Sequence, residues 1–392
     1  MVSFEKAFEI VMQTVCPCDS EIVEIKHSME RVLARDILSD VNMPPADMSA
    51  MDGYACKFCD RSMPLKIVET IAAGAVPKMS IETGMCSRIM TGAMVPSGAD
   101  CVVMFEHSSE TDGIVTVTKM TNNRNIRYKA EDTKAGDVLL SKGTRIDAAT
   151  CALLAATGCN NVPVAKYPRI AIIATGNELV EPEQIPAGAQ IRNSNSYQLY
   201  AQTLQCGCAP VYLGIAKDTK KSTLDLLEKA KSESDVILIS GGVSAGDFDY
   251  VPDVLKECGF NVIVESIAIK PGKPTTFATN GNQFVFGMSG NPVASYVLFE
   301  LLVRPFLMRL MGNYDRPVFV KVPLANDIKK KKGDRKEVVP VRFNTEGCAE
   351  AVKYHGSAHI NAYSIAHAFL WLNEDIDTVE KGTMVSVQLI EK

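Results

Sequence analysis

The chain has 392 residues, 46% hydrophobic and 22% charged, which suits a folded protein of several domains rather than a disordered or fibrous one. Its formal net charge of −5 argues against wholesale binding to nucleic acid or an anionic membrane, so any anionic ligand must be met by local positive groups. Twelve cysteines, with no N-x-S/T sequon and no N-terminal apolar h-region, predict free thiols in a reducing cytoplasm.

Along the chain, the first 35 residues read as helical, with Phe4, Ala7, Phe8, Val11 and Met12 on one face. Residues 41–145 carry short β-type runs (LKIVETI, CVVMFE, GIVTVTKM) separated by Gly, Pro, Asp and Asn clusters. From Arg169 the pattern becomes regular. RIAIIA is followed by SNSYQLYAQTLQCG, whose Tyr197, Tyr200, Ala201 and Leu204 share a helical face; then come PVYLGIA, a helix near 221–231, and DVILIS. Val251, Val254, Leu255 and Cys258 repeat at helical spacing, and FNVIVESIAI reads as a further strand. A long helix is predicted from Val293 to Leu310, kinked or ended near Pro305. Its run YVLFELLVRPFLMRL is the greasiest in the chain, but Glu300, Arg304 and Pro305 interrupt it, so no membrane span is expected. VFVKVPLAN, EVVPVRF and MVSVQLI then suggest strands.

The expected fold class is α/β multidomain. Residues 168–312 form an α/β domain with a mostly parallel sheet, 41–136 a β-rich second domain, and 313–392 a C-terminal β-barrel. Residues 1–40 and 137–167 form a small helical and extended linker domain, with part of 1–20 free to pack on the α/β domain.

Ligands of an open parallel sheet bind outside the carboxyl ends of its strands. Four successive strand ends carry polar signatures: ATGNEL, KDT, SGGVSAGDFDY and KPGKP; a fifth, SGNP, precedes the last helix, whose N–H groups are expected to point at an anion. Gly241, Gly242, Ser244 and Gly246 suit a backbone cradle for phosphate, with Ser289, Gly290 and Asn291 beside it and Lys270 and Lys273 to neutralise it. Glu178, Asp218, Asp247 and Asp249 are hard oxygen donors of the kind Mg²⁺ takes beside substrate phosphates. Singly, each fragment has a plainer reading: a Gly-rich turn is only a turn, and Asp247 or Asp249 caps the helix that follows. Five at one sheet edge outweigh it.

The β-rich segment adds SAMDGYA, RIMTGAMVPSGAD and AEDTKAGD, in which Asp52, Thr91 and Asp132 stand out. These motifs, with IAAGAVPK, IRNSNSYQL, IKPGKPTTFA, SGNPVAS and HGSAHINAYS in order over nearly the whole chain, make it similar to the molybdopterin molybdotransferases of molybdenum-cofactor synthesis and to the E domain of gephyrin. The resemblance implies an enzyme that takes adenylylated molybdopterin and molybdate, hydrolyses the phosphoanhydride with Mg²⁺, releases AMP and leaves molybdenum on the dithiolene. It implies an elongated homodimer in which the β-rich domain of one subunit completes the site on the α/β domain of the other. Position by position it assigns catalytic roles to Asp52, Thr91, Asp132, Glu178, Asp218 and Asp249. Of these, Glu178, Asp218 and Asp249 are the metal acids, and Lys270, Lys273 and Ser357 bind substrate. A molybdopterin adenylyltransferase and molybdenum-enzyme maturation proteins are expected further partners. A gephyrin-like scaffold and the adenylyltransferase itself are the rival readings; retained acids speak against the first and the added domains against the second.

Three departures from the family pattern are visible: Ser289 where Pro usually precedes GNP, Ala130 where Gly usually precedes ED, and Met48 where Asn is frequent. Ala130 visits positive φ less freely than glycine. Among weaker features, Cys56 and Cys59 form a CxxC without a second one, and His355 and His359 flank Gly356 and suit a loop. Lys329 to Lys332, with Arg335 and Lys336, read as a solvated hairpin tip, with attraction of an anionic pterin phosphate or binding of a partner as the alternatives, and Trp371 reads as barrel core.

Overall fold

The computed structural model describes residues 1–243, 249–330, 333–353 and 359–391. Its central element is a six-stranded sheet built from β7 (Arg169–Thr175), β8 (Ala209–Ala216), β9 (Val236–Ser240), β10 (Asn261–Ser266), β11 (Pro274–Thr279) and β12 (Phe284–Met288), counted after six strands of the β-rich domain described below. The spatial order is β8-β7-β9-β12-β11-β10. The first three pairings are parallel and the last two antiparallel. FVFGM and PTTFAT, unassigned from sequence, supply β12 and β11, so KPGKP leads into an antiparallel strand rather than a helix.

Both sheet faces are covered, which is why the central strands are continuous apolar runs. Ile170 and Ile172 of β7 join one core with Leu199, Val297 and Phe306, while Ala171 and Ile173 join the other with Leu227, Val254 and Leu255. The crossover helices are α3 (Asn195–Gln205), α4 (Lys220–Glu233) and α5 (Val251–Glu257), following α1 (Phe4–Gln13) and α2 (Ala148–Ala156) earlier in the chain. In α3 the expected inward face is reversed. Tyr197, Tyr200 and Leu204 are 48%, 38% and 53% exposed, and Asn195, Ser196, Leu199, Gln202 and Thr203 are buried. Tertiary hydrogen bonds explain the inversion: Asn195 Nδ2 donates to Ser240 Oγ and to the Gly290 carbonyl, both at 2.8 Å, and Gln202 Nε2 donates to Glu300 Oε1 at 2.6 Å.

The last long helix does not end at Pro305. It runs as α6 (Pro292–Leu298), a π-helical stretch Phe299–Val303, and α7 (Arg304–Leu310). A proline cannot donate and crowds the carbonyl four residues before it, and the wide π turn ahead of Pro305 accommodates that change of register.

The β-rich domain is a mixed sheet of β1 (Gly53–Cys56), β2 (Leu65–Ile71), β3 (Met85–Ile89), β4 (Cys101–Met104), β5 (Ser108–Thr111) and β6 (Ile114–Val117), ordered β4-β1-β3-β2-β6-β5. Residues 20–24 pair antiparallel with 161–165, which brings the two segments flanking that domain together around Leu33, Ile146, Leu154 and Val164. Helix α1 buries Ala7, Val11 and Met12 in the α/β core, and Phe4 meets Trp371 at a centroid distance of 5.0 Å.

The C-terminal strands are β13 (Phe319–Pro323), β14 (Lys336–Phe343), β15 (Ala349–Ala351), β16 (Ala368–Leu372) and β17 (Met384–Leu389). They pair in the path β15-β14-β16-β17-β13, and a single bridge from Leu324 to Ala349 leads back to β15. Trp371 is not in their core: strand alternation turns Leu370 and Leu372 inward and Trp371 outward onto Phe4, its Nε1 donating to Gln388 Oε1 at 3.1 Å. No helix among the described residues is long and apolar enough to cross a membrane.

Candidate functional site

Because β7, β8, β9 and β12 are parallel, their carboxyl ends lie along one edge. Glu178 follows β7, Asp218 follows β8, and Asp249 precedes α5; with Thr175, Gly241 and Gly242 they line one cleft of about 250 Å³. The turns that present two of these acids are locked together. Asn177 N–H donates to Asp218 Oδ2 at 3.0 Å, and Asp218 N–H donates to Asn177 Oδ1 at 3.2 Å.

The glycines have a structural reason to be there. Gly241 has φ +97°, and a Cβ on it would stand 2.6 Å from the Thr175 carbonyl oxygen. Gly242 has φ +67°, and its Cβ would stand 2.9 Å from Thr175 Oγ1. That hydroxyl is buried without a hydrogen-bond partner among the described residues, at the floor of the acid cleft. Ser244, Gly246 and Asp247 of the same motif, and Ser357 of HGSAH, lie outside the described residues.

The three acids suit a hard cation, but no three carboxylate, His or Cys groups among the described residues converge into a ready-made cage. Such a donor set fits Mg²⁺, which keeps waters and substrate oxygens alongside one or two carboxylates, better than an ion needing an all-protein site.

A second, larger cleft of about 730 Å³ lies where the α/β domain meets the C-terminal strands. Lys270, Lys273, Lys329, Lys330 and Arg335 line it, with Asp327 and Glu337 as its acids. Lys270 Nζ pairs with Glu337 Oε1 at 3.0 Å, and Lys330 Nζ donates to the Asn373 carbonyl at 2.5 Å. The solvated reading therefore fails at Lys330, which is buried, while Lys329 is exposed; Ile328–Lys329 pairs with Thr378–Val379, and both lysines line the cleft. Lys331 and Lys332 lie outside the described residues. The two clefts share Ser289 and Pro274 in their walls.

The SGNP turn differs from expectation. Asn291 Oδ1 accepts from the N–H groups of Val293 at 3.0 Å and Ala294 at 3.3 Å, so first-turn donors offered to an anion are already taken by the cap. Ser289 Oγ accepts from Asn291 N–H at 3.3 Å, a side-chain turn in place of the proline that is usual there.

In the β-rich domain Asp52 and Thr91 come together. Asp52 Oδ1 accepts from the backbone N–H and the hydroxyl of Thr91, which hold its carboxyl below the usual range. Asp132 is paired with Arg127. All three residues are exposed, and none lines either cleft of its own chain. Ala130, two residues before Asp132, has φ +60°. The CxxC pair is split: Cys56 is buried, its Sγ 3.6 Å from Cys101 Sγ, while Cys59 is exposed.

Arg335 was named from sequence only as a neighbour of the lysine run, and Glu337, Thr175, Asn177 and Asn195 were not singled out. Glu337 sits in a charge-rich stretch with no spacing to mark it. Asn177 and Asn195 lie inside quoted motifs, and that was the one available signal.

Residues 2–158 match the MoeA N-terminal region (domains I and II), residues 171–309 a probable molybdopterin binding domain, and residues 321–390 the MoeA C-terminal region (domain IV). A molybdopterin molybdenumtransferase of Bacillus subtilis is 35% identical over 95% of this chain and 90% of its own. One from Nostoc is 38% identical over 80% of this chain and 75% of its own. The structure of a molybdopterin biosynthesis MoeA protein of Pyrococcus horikoshii superposes over the whole of both chains with a TM-score of 0.86 at 30% identity.

Proposed function

The chain belongs to the MoeA family and acts in molybdenum cofactor biosynthesis as a molybdopterin molybdenumtransferase, and from that premise we propose how its two clefts divide the work. The substrate is adenylylated molybdopterin, lying along the groove that the clefts form at Ser289 and Pro274. Its phosphoanhydride rests at the acid cleft and the dithiolene with incoming molybdate at the basic one. The observation that carries this reading is the wall common to an acid-lined and a lysine-lined cleft at one sheet edge.

Glu178, Asp218 and Asp249 hold Mg²⁺ and orient water toward the anhydride. When bound, Mg²⁺ supplies Lewis-acid polarisation of the phosphoryl oxygens. Lys270 and Lys273 neutralise the oxyanion, as charge-assisted hydrogen bonds do most strongly in a partly desolvated cleft. The Asn177–Asp218 clamp keeps one acid from swinging as charge develops.

Asp52, Thr91 and Asp132 act on the site of a second copy in a homodimer. Their exposure, and their absence from the lining of both clefts of their own chain, support that assignment. The test is AMP release from adenylylated molybdopterin with Mg²⁺, with and without molybdate. Wild type should release AMP in a molybdate-dependent, EDTA-sensitive way. Asp52→Ala and Asp249→Ala should each abolish release, and a re-associated mixture of the two should regain part of it. Release that is absent in wild type overturns the reading; failure of the mixture alone overturns the shared site.

A further inference from the structure

Glu337 is the buried one of two acids in a cleft whose five cationic side chains suit anions. It is 8% exposed, near the start of β14, and its Oε1 pairs with Lys270 Nζ at 3.0 Å. Its Oε2 is buried and has no hydrogen-bond partner among the described residues. A carboxylate has lone pairs on both oxygens to satisfy, and one ammonium on one oxygen leaves the other unmet. Burying an acceptor in that state is costly. An acid also opposes the oxyanion that Lys270, Lys273 and Arg335 would attract. A purely oxyanion-binding cleft gains nothing from Glu337, whereas a ligand that brings its own N–H donors would satisfy the orphan oxygen.

We propose that Glu337 is a specificity-determining residue that reads the pterin ring. Its Oε2 accepts from the 2-amino group of the 2-amino-4-oxopyrimidine edge, and Oε1, beside its bond to Lys270, from the adjacent ring N3–H. This rests on the molybdopterin substrate assigned above, and it fixes the substrate's direction: pterin in the basic cleft, phosphoanhydride in the acid cleft. The two donors lie side by side as in a guanidinium group, the arrangement that carboxylates bind best. The cleft's apolar lining of Ile328, Val339 and Leu372 offers a surface for the flat ring, and its volume of about 730 Å³ suits a ligand of that class.

The test compares pterin with lumazine, which carries a carbonyl in place of the 2-amino group. Each is titrated by fluorescence into wild-type protein and into Glu337→Gln, with molybdate binding measured in parallel by calorimetry. Wild type should prefer pterin by about tenfold or more, because an analogue lacking a donor leaves the buried acceptor unpaired. Glu337→Gln should reduce that preference to about threefold or less, while molybdate binding, no longer opposed by the acid, is kept or strengthened. An unchanged pterin-to-lumazine ratio in Glu337→Gln would overturn the proposal, and weakened molybdate binding beside it would show that Glu337 only holds Lys270. So would the absence of any pterin preference in wild type, a result independent of whether the variant folds. Molybdate-dependent AMP release in the same preparation separates failure of this proposal from failure of the transferase mechanism.

Discussion

Asp52 Oδ1 accepts two hydrogen bonds from one residue: the Thr91 backbone N–H at 2.6 Å and the Thr91 hydroxyl at 2.9 Å. The backbone bond is the larger cause of the lowered Asp52 pKa, and the hydroxyl adds to it. A depressed carboxyl pKa means that the ionised form is favoured in the fold. The linked contribution is present above the unfolded-state pKa and disappears as pH falls through the folded one. Thr91→Val keeps the backbone donor and removes the hydroxyl. The Asp52 pKa should therefore rise part of the way toward its ordinary value, as read by carboxyl ¹³C NMR. No rise would show that the hydroxyl bond is not formed in solution.

Ala130 occupies a left-handed conformation, φ +60°, that costs a residue with a Cβ about 1–2 kcal/mol. Glycine relieves that strain but adds about 0.4–1 kcal/mol of unfolded-state entropy. Ala130→Gly should therefore raise stability by roughly 0.5–1 kcal/mol, seen as a higher urea midpoint with an unchanged m-value. Ala130→Val should lower it by more than the glycine raises it.

Glu300 and Arg304 form a buried pair one turn apart, with Arg304 Nε donating to Glu300 Oε2 at 2.7 Å and Arg304 Nη2 to Glu300 Oε1 at 3.0 Å. Burial works against the Arg304 charge, but the hydrogen bonds to Glu300 reverse that and carry its pKa above the ordinary value. Removing Glu300 leaves the buried Arg304 only the exposed Glu391, at 3.7 Å, and Gln205, at 3.3 Å, so Glu300→Leu should cost about 3 kcal/mol in urea unfolding. Glu300→Leu with Arg304→Met should recover most of that loss. Equal costs for the single and double variants would refute the coupling.

At the acid cleft, Gly242→Ala would place a Cβ 2.9 Å from Thr175 Oγ1 at a φ of +67°. Strain of roughly 1–3 kcal/mol is expected, with AMP release down at least about tenfold, because the turn carries the cleft wall. Gly290→Ala is the contrast: its Cβ meets nothing nearer than Gly241 Cα at 3.7 Å, so its urea midpoint should match wild type.

Much of the site was readable because it depends on local order. RIAIIA, PVYLGIA and DVILIS are apolar runs between polar turns, and parallel strands joined by helices must bring those turns to one edge. Glu178, Asp218, Gly241 and Gly242 could thus be placed together before any coordinates. Only tertiary structure decided which polar residues face inward. Gln202 and Asn195 are buried because Glu300, Ser240 and the Gly290 carbonyl accept their hydrogen bonds, so the tyrosine face of α3 is left outside. The same holds for the basic cleft. Lys270 lies 60 residues before Lys330 and further still from Glu337, and no periodicity records that β14 lies beside Ile269 and Lys270. Hydrophobic period and turn chemistry act over a few residues and are written in the sequence. Satisfaction of buried polar groups is settled by whichever distant partner the packing delivers.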